Sequence, residues 1–381
     1  MAFDTITNVL FLRLIFNMGL NNTNEQIKDL AYTLKESIAR YRRGEVETTS
    51  QDFIVYDIIR NSHQYNPWFI PEHMLFALEL FLYDLDYLLK KNTIGLIVDL
   101  EVLTLTEEQF IDTREADVLK DSLSKVKGNL AFLLRTNVPL EGMSELFLMA
   151  SIGFNCEFKV SPELKQLFNK FLSLIKSTEF SGLKISETES KFTEIGALIS
   201  MAELGETTKD YFGKYPAIQL FSKGKSFIIS GDESDELIDH ITGLVCIYFG
   251  RSTRNVKVLF VPEKYDITLL KSSFEQYTDQ LNHNRYYNNF EYRKSAMIIN
   301  HIDYTEVGPL LITEDSRQAG YTGVLCIQRY NSIHNIKNNK LAEEYPLINK
   351  EGELINIHDK RMNLSAFIDN YHELSSFFGS F

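Results

Sequence analysis

Cysteine is scarce in this chain, with three in 381 residues, at positions 156, 246 and 326. They are far apart, odd in number and form no CxxC pair, which excludes a disulfide framework and points to a reducing, cytoplasmic setting. Positive charge is also in short supply. The 39 Lys and Arg face 52 Asp and Glu, for a net charge of −13, so the basic face that a nucleic-acid backbone requires is missing. The eight histidines are scattered, with no HExxH and no His/Cys cluster, and no metal site is expected. No apolar run reaches the roughly 18–20 residues that span a bilayer, so no membrane span is expected. The apolar stretch from Val9 to Phe16 has Asp4 before it, Arg13 inside it and no small-residue cleavage site. It reads as a buried helix or strand rather than a signal peptide.

What is present is ordinary for a globular protein. Hydrophobic residues make up 44% and charged residues 24% of the chain, enough for one large or two medium domains with a sizeable core. Residues 1–127 read mostly helical. Between Asn22 and Tyr41, Ile27, Leu30, Leu34 and Ile38 recur at helical spacing, which predicts one buried face. Pro67 and Pro71 bracket Trp68, the single tryptophan, read here as a core anchor, and Pro71 suits the first turn of a helix from Glu72 to Leu89. From about Gly128 the pattern becomes short apolar runs alternating with helical segments. That alternation predicts an α/β fold built on mostly parallel sheets. Asp235 to Phe249 reads as an amphipathic helix and Val256 to Val261 as a strand. Gly250 between them suits a turn that presents side chains into a cleft. The polar run Leu281 to Phe290 reads as a lead-in to a helix from Glu291 to Asn300.

Six local strings, in order, carry a resemblance. They are Tyr65-Asn66-Pro67-Trp68-Phe69-Ile70-Pro71-Glu72, Asn137-Val138-Pro139-Leu140-Glu141-Gly142, Tyr211-Phe212-Gly213-Lys214-Tyr215-Pro216, Tyr248-Phe249-Gly250 with Arg254-Asn255-Val256, Leu259-Phe260-Val261-Pro262-Glu263-Lys264-Tyr265-Asp266, and Tyr287-Asn288-Asn289-Phe290-Glu291-Tyr292. Together they cover about residues 60–330, and the chain resembles the bacterial long-chain acyl-CoA reductases. These are the fatty-acid reductase component of luminous bacteria and its Bacteroidetes relatives, within the aldehyde dehydrogenase superfamily. The resemblance implies an aldehyde-dehydrogenase-like fold with two three-layer parallel-sheet domains and a helical N-terminal portion. The boundaries expected are 1–222 for the helical N-terminus plus a dinucleotide-binding-type domain, and 223–340 for a catalytic-type domain. Residues 341–381, with the aromatic end Phe377–Phe381, are expected to return to the first domain or to a partner, within a homo- or hetero-oligomer.

The activity implied is attack of a Cys thiolate on an acyl thioester, followed by hydride transfer from NADPH to release an aldehyde. In this chain the nucleophile position of Gly250-Arg251-Ser252-Thr253 is Thr253. Ser252 and Cys246 are the alternative nucleophiles, and Cys246 falls in the helix pattern, where a buried core thiol is the competing reading. Asn137 takes the oxyanion position, with an Asx-type turn as its alternative. Lys159 and Ser161 stand where the superfamily holds the adenosine ribose or its phosphate; a solvated Lys and a helix N-cap are the alternatives. Two further departures bear on function. Glu203 falls in the loop where backbone N–H groups would meet a pyrophosphate, and Phe221 falls near the general-base position.

Three readings follow. In the first, the protein is an inactive or altered acyl-CoA reductase relative that binds an acyl-CoA or acyl-carrier thioester, or partners a related reductase or acyltransferase. In the second, it is an active NADPH-dependent reductase with a relocated nucleophile. A third and weaker reading is a non-redox enzyme using the cleft for acyl transfer or hydrolysis.

Overall fold

The computed structural model describes residues 25–90, 128–134, 137–151, 154–178, 183–188, 191–215, 217–219, 223–253, 255–337 and 339–345. Val9–Phe16, Phe221, Arg254 and the tail from 346 onward, and with them most of the expected C-terminal return, lie outside the described residues. The chain divides into two compact units at Leu220–Phe221, with Pro67–Phe69 belonging to the second.

The first unit opens with helix α1, residues 25–42. Ile27, Leu30, Leu34 and Ile38 are all buried, as their spacing predicts. Helix α2, Ser50–Arg60, starts at a capping box in which the Thr49 hydroxyl accepts from the Asp52 N–H and Asp52 returns to the Thr49 N–H. Asp52 is buried with no exposed surface and does more than cap. It accepts from Ser37 Oγ at 2.6 Å, Arg40 Nη1 at 2.9 Å, and the Thr48 backbone and hydroxyl at 3.1 and 2.9 Å. This one carboxylate therefore ties α1, the turn at 48–49 and α2 together. Burial pushes its carboxyl up, but the donors of Ser37, Thr48 and Arg40 outweigh it and hold the group well below the usual carboxylate range.

After α3, Ser62–Tyr65, and α4, Pro71–Lys90, comes a five-stranded sheet of β1 (Asn129–Leu133), β2 (Cys156–Lys159), β3 (Ile185–Glu187), β4 (Ile195–Ser200) and β5 (Ala217–Gln219). The strand order is β3-β2-β1-β4-β5 and every pair is parallel. Leu130, Ala131 and Phe132 have no exposed surface, because helices cover a parallel sheet on both faces. Those helices include α5, Met143–Ser151, α6, Pro162–Ser177, and α7, Glu206–Phe212. Phe81 of α4 meets Phe147 of α5 and Phe171 of α6 edge-on, at 5.7 and 4.9 Å between ring centroids.

The second unit holds β6 (Lys225–Ile228), helix α8 (Asp235–Cys246), β7 (Val256–Pro262), α9 (Lys271–Glu275), α10 (Asn284–Ile299), β8 (Thr305–Val307), β9 (Leu310–Thr313), β10 (Val324–Tyr330), α11 (Ile333–Lys337) and α12 (Lys340–Glu344). Its sheet runs β6-β7-β10-β9-β8, parallel except for β8, which pairs antiparallel with β9 at the edge. Leu341 and Tyr345 pack here, against Val258, Phe260 and Cys326. Helix α10 begins at Asn284, earlier than the polar character of that run suggests. The reason is local: His283 caps it through Nδ1, which accepts from the Tyr286 N–H, and Tyr286, Phe290 and Met297 form a buried stripe at helical spacing.

Asp52→Asn keeps the volume and removes the charge that Arg40 and four other donors surround. We expect a loss of about 2–4 kcal/mol in urea unfolding at neutral pH. Because the folded carboxyl titrates below its unfolded value near 3.9, its contribution is complete above that value and is lost as the pH falls below it. The variant's deficit relative to wild type should therefore shrink between about pH 4 and pH 2.

Candidate functional site

In the first unit, strands on the two sides of β1 wind outward in opposite directions, so the topological switch point lies between β1 and β4. Ligands of doubly wound sheets sit at the carboxyl ends of the strands there. Asn137 lies half-buried in the turn after β1, and Lys159, exposed, is the last residue of β2. Ser161 occupies the N-cap position of α6, but its hydroxyl does not cap the helix. It bonds the Glu163 carboxyl instead and holds that group below its usual range. At the end of β4, Ser200 is fully buried, and its hydroxyl closes a tight turn by donating to Ala202 O at 2.8 Å. Glu203 is exposed in the loop that follows, and Glu206 stands in the first turn of α7 behind a glycine cap. The β2 side of the switch point thus carries Lys159 together with Glu163, which takes the Ser161 hydroxyl, and the β4 side carries Glu203 and Glu206.

In the second unit the sequence pattern carried the helix to Phe249, but α8 ends at Cys246. Three consecutive residues then take left-handed backbone angles: Tyr248 at φ 52°, Phe249 at φ 57° and Gly250 at φ 66°. For the two aromatic residues this costs on the order of 1–2 kcal/mol each. Asn255 supplies the compensation. It has no exposed surface. Its Nδ2 donates to Leu244 O at 2.7 Å and Ile247 O at 2.9 Å, and its Oδ1 accepts from the Ser252 N–H at 2.6 Å. Gln280 Nε2 donates to Cys246 O at 2.9 Å. From β7 below, the buried Lys257 donates through Nζ to Gly250 O. Gly224 makes room for that side chain, since a Cβ there would lie 2.4 Å from Lys257 Cγ. The result is a rigid arch carrying Arg251, Ser252 and Thr253.

Ser252 and Thr253 are both buried, at 4% and 8% exposure. Beneath the arch is a cavity of about 10 Å³, lined by Cys246, Phe249, Gly250, Lys257, Tyr286 and Tyr321 among others. It has room for about one water molecule and none for an acyl chain. All three cysteines are free and buried. Burial pushes the Cys156 and Cys246 thiols far up and the Cys326 thiol up to about 11, which opposes thiolate formation at each. His240 sits midway along α8, half-buried.

Trp68 is a half-buried member of an exposed-edge ring ladder rather than a core anchor. The Arg251 guanidinium lies 4.1 Å from its ring centroid. Trp68 stacks on His283 at 5.8 Å, His283 meets Phe249 at 4.6 Å, and Phe249 stacks on Tyr286 at 5.2 Å. His283 Nε2 lies 3.0 Å from Pro67 O, an acceptor, while Nδ1 accepts from the Tyr286 N–H at 3.3 Å. The pair of partners selects the neutral Nε2–H tautomer. Burial lowers the His283 pKa, Pro67 O acts against it, and the cations of Arg285 and Arg251 lower it further. Sequence reasoning missed Asn255, Lys257 and His283. A lysine inside an otherwise apolar strand was the available signal for Lys257.

A doubly wound parallel sheet followed along the chain by a second, mostly parallel sheet is an aldehyde-dehydrogenase-like α/β fold, and solved structures bear that out. An oxidoreductase from Marinobacter aquaeolei aligns at a TM-score of 0.56 and 11% identity, over 83% of this chain and 70% of its own. An E. coli NADP-dependent enzyme aligns at 0.54 and 9%, over 87% and 75%. Succinic semialdehyde dehydrogenase from Streptococcus pyogenes, solved with NADP+ as the cofactor, aligns at 0.51 and 11%, over 80% and 77%. At these identities the likeness is one of fold. No protein-family model and no curated protein matches the sequence. Among the described residues no group of three His, Cys, Asp or Glu side chains could hold a metal ion, and no helix is long and apolar enough to cross a membrane.

Two outcomes test this geometry. Asn255→Ala leaves buried carbonyls of α8 without their donor and should cost about 2–4 kcal/mol in denaturant unfolding. For His283, the unfolded side chain titrates near 6.5 and the folded one below that. Between the two values the unfolded state binds more protons, so stability is full above about pH 6.5 and falls as the pH drops through it. His283→Asn retains a capping side chain without a titrating one, so its melting temperature should lack that decline between about pH 7 and pH 5.

Proposed function

We propose that this protein is an altered acyl-CoA reductase relative that binds an acyl thioester, or a partner enzyme, without reducing the thioester by the thiolate route. The observation that carries the reading is the arch. It carries Thr253, the residue that the resemblance sets at the nucleophile position, as a hydroxyl with 8% exposure. A hydroxyl attacks only with a base beside it, whereas a thiol needs only a modestly lowered pKa. The buried, raised thiol of Cys246 weighs against a relocated nucleophile, and the buried Ser252, whose N–H is committed to Asn255, offers no better one.

NADP+ is the cofactor of the Streptococcus pyogenes dehydrogenase of similar fold, and its fit to these residues is partial. Lys159 at the carboxyl end of β2 suits a ribose phosphate. The loop after β4 does not suit a pyrophosphate, because Glu203 and Glu206 place carboxylates where backbone N–H groups would meet an anion. The set does not fit a complete dinucleotide.

Trp68 is the only tryptophan and sits on the arch, so its emission reports directly on this loop. Palmitoyl-CoA should change Trp68 fluorescence saturably, and wild-type protein with NADPH should release no aldehyde; aldehyde from the wild type would sink the proposal. Thr253→Cys should accumulate a palmitoyl-enzyme visible as an added acyl mass in intact-protein mass spectrometry, which the wild type does not form.

A further inference from the structure

His283 ties three parts of the second unit together. Its Nδ1 starts α10 by accepting from the Tyr286 N–H at 3.3 Å, and its Nε2–H donates to the Pro67 carbonyl at 3.0 Å. Its ring stacks on Trp68 at 5.8 Å and meets Phe249 of the arch at 4.6 Å. Trp68 in turn lies 6.0 Å from Phe249 and 4.1 Å from the Arg251 guanidinium, so it covers the arch. The segment Pro67–Phe69 is anchored by Phe69, which is 1% exposed, whereas Trp68 is half-buried and Pro67 exposed. The Trp68 ring can therefore move without the backbone on its carboxyl side leaving the core.

A proton on Nδ1 turns an acceptor into a donor and sets it against the Tyr286 N–H, which is also a donor. The charged groups that act on the ring are both cations, Arg251 from the arch and Arg285 from α10. Asp279, in the turn before His283, accepts from Asn282 at 3.3 Å. Pro67–Phe69 brings no charged side chain. Two features favour the imidazolium: the Pro67 carbonyl still accepts from Nε2–H, and aromatic faces attract a cation. Burial and the two guanidinium groups outweigh the carbonyl, and the folded ring titrates below the ordinary histidine value. The charged ring is thus held better by water than by its native place. When it leaves, the cap of α10, the bond to Pro67 and the stack on Trp68 are lost together. The loss stays local. Asn255 and Lys257 hold the arch through bonds that do not involve His283, and the Tyr286 hydroxyl still donates to Pro309 O at 2.6 Å.

We propose that His283 is a proton-operated latch: neutral, it holds Trp68 over the arch, and protonated, it swings out and releases Trp68, uncovering Phe249 and Arg251 while the arch and the body of α10 stay in place. The latch regulates access to the arch and does not depend on the thioester reading. A released histidine titrates near 6.5. Below that value each pH unit favours the open form by up to about tenfold, until the closed form also takes up the proton.

The test is acrylamide quenching of Trp68 in the full chain between pH 7.5 and pH 5, with far-UV circular dichroism recorded on the same samples. The quenching constant should rise at least about twofold on acidification. Its midpoint should fall below 6.5 and the circular dichroism should not change. His283→Asn keeps a capping side chain that does not titrate, so its quenching constant should be flat over this range. Arg285→Gln removes an exposed cation and should raise the midpoint by on the order of 0.3 pH unit. A constant that is flat in wild type, a rise that survives His283→Asn, or a midpoint indifferent to Arg285→Gln overturns the latch. So does loss of circular dichroism in the same transition, which would make the opening global rather than local.

Discussion

The Asn255 carboxamide closes carbonyls at the end of α8 and one N–H of the loop that follows, and the second unit's presentation of side chains depends on that closure. Without it, Tyr248 and Phe249 would have no reason to remain in left-handed geometry, which L-residues with large side chains avoid. With it, the strain is local and offset by bonds that a buried amide makes only in this arrangement. Lys257 adds a second hold from the strand below, on Gly250 O. The arch then aims Phe249 at His283 and Tyr286, and Arg251 at Trp68. Arch, aromatic ladder and the cap of α10 form one mechanical assembly.

The rigidity of that assembly bears on its chemistry. The arch holds the Ser252 and Thr253 hydroxyls in a fixed, buried place. In the first unit a doubly wound sheet has a well-formed switch point, whose β2 side carries Lys159 beside Glu163 and whose β4 side carries Glu203 and Glu206. In both units the fold persists and the polar groups at its functional edge differ from what the resemblance implies.

The α/β class, the buried face of Ile27, Leu30, Leu34 and Ile38, and the parallel strands from Asn129 onward were legible because they rest on periodicity, which survives without tertiary knowledge. The end of α8 was not legible. Ile247, Tyr248 and Phe249 continue an apolar helical pattern, and only the buried Asn255, several residues later, turns them into an arch. The start of α10 was misread for the opposite reason: a polar, Asn-rich run has weak helical pattern, and the cap that starts the helix is a histidine rather than Ser, Thr, Asp or Asn. Thr253 stands in sequence between Gly250 and Asn255, the two residues that shape the arch.

By itself, then, the sequence determined the fold class, the helical face of α1, and the identity of the residue at the centre of the arch. Those depend on spacing and on side-chain chemistry at single positions. Only the tertiary structure decided that Cys246 is sealed in the core, that Lys257 points up at a backbone carbonyl instead of out to water, and that Trp68 is a ladder rung rather than an anchor. Each of these turns on which side chain happens to lie within a few ångströms of another, and hydrogen bonds, stacking and desolvation all act at that range between residues far apart along the chain.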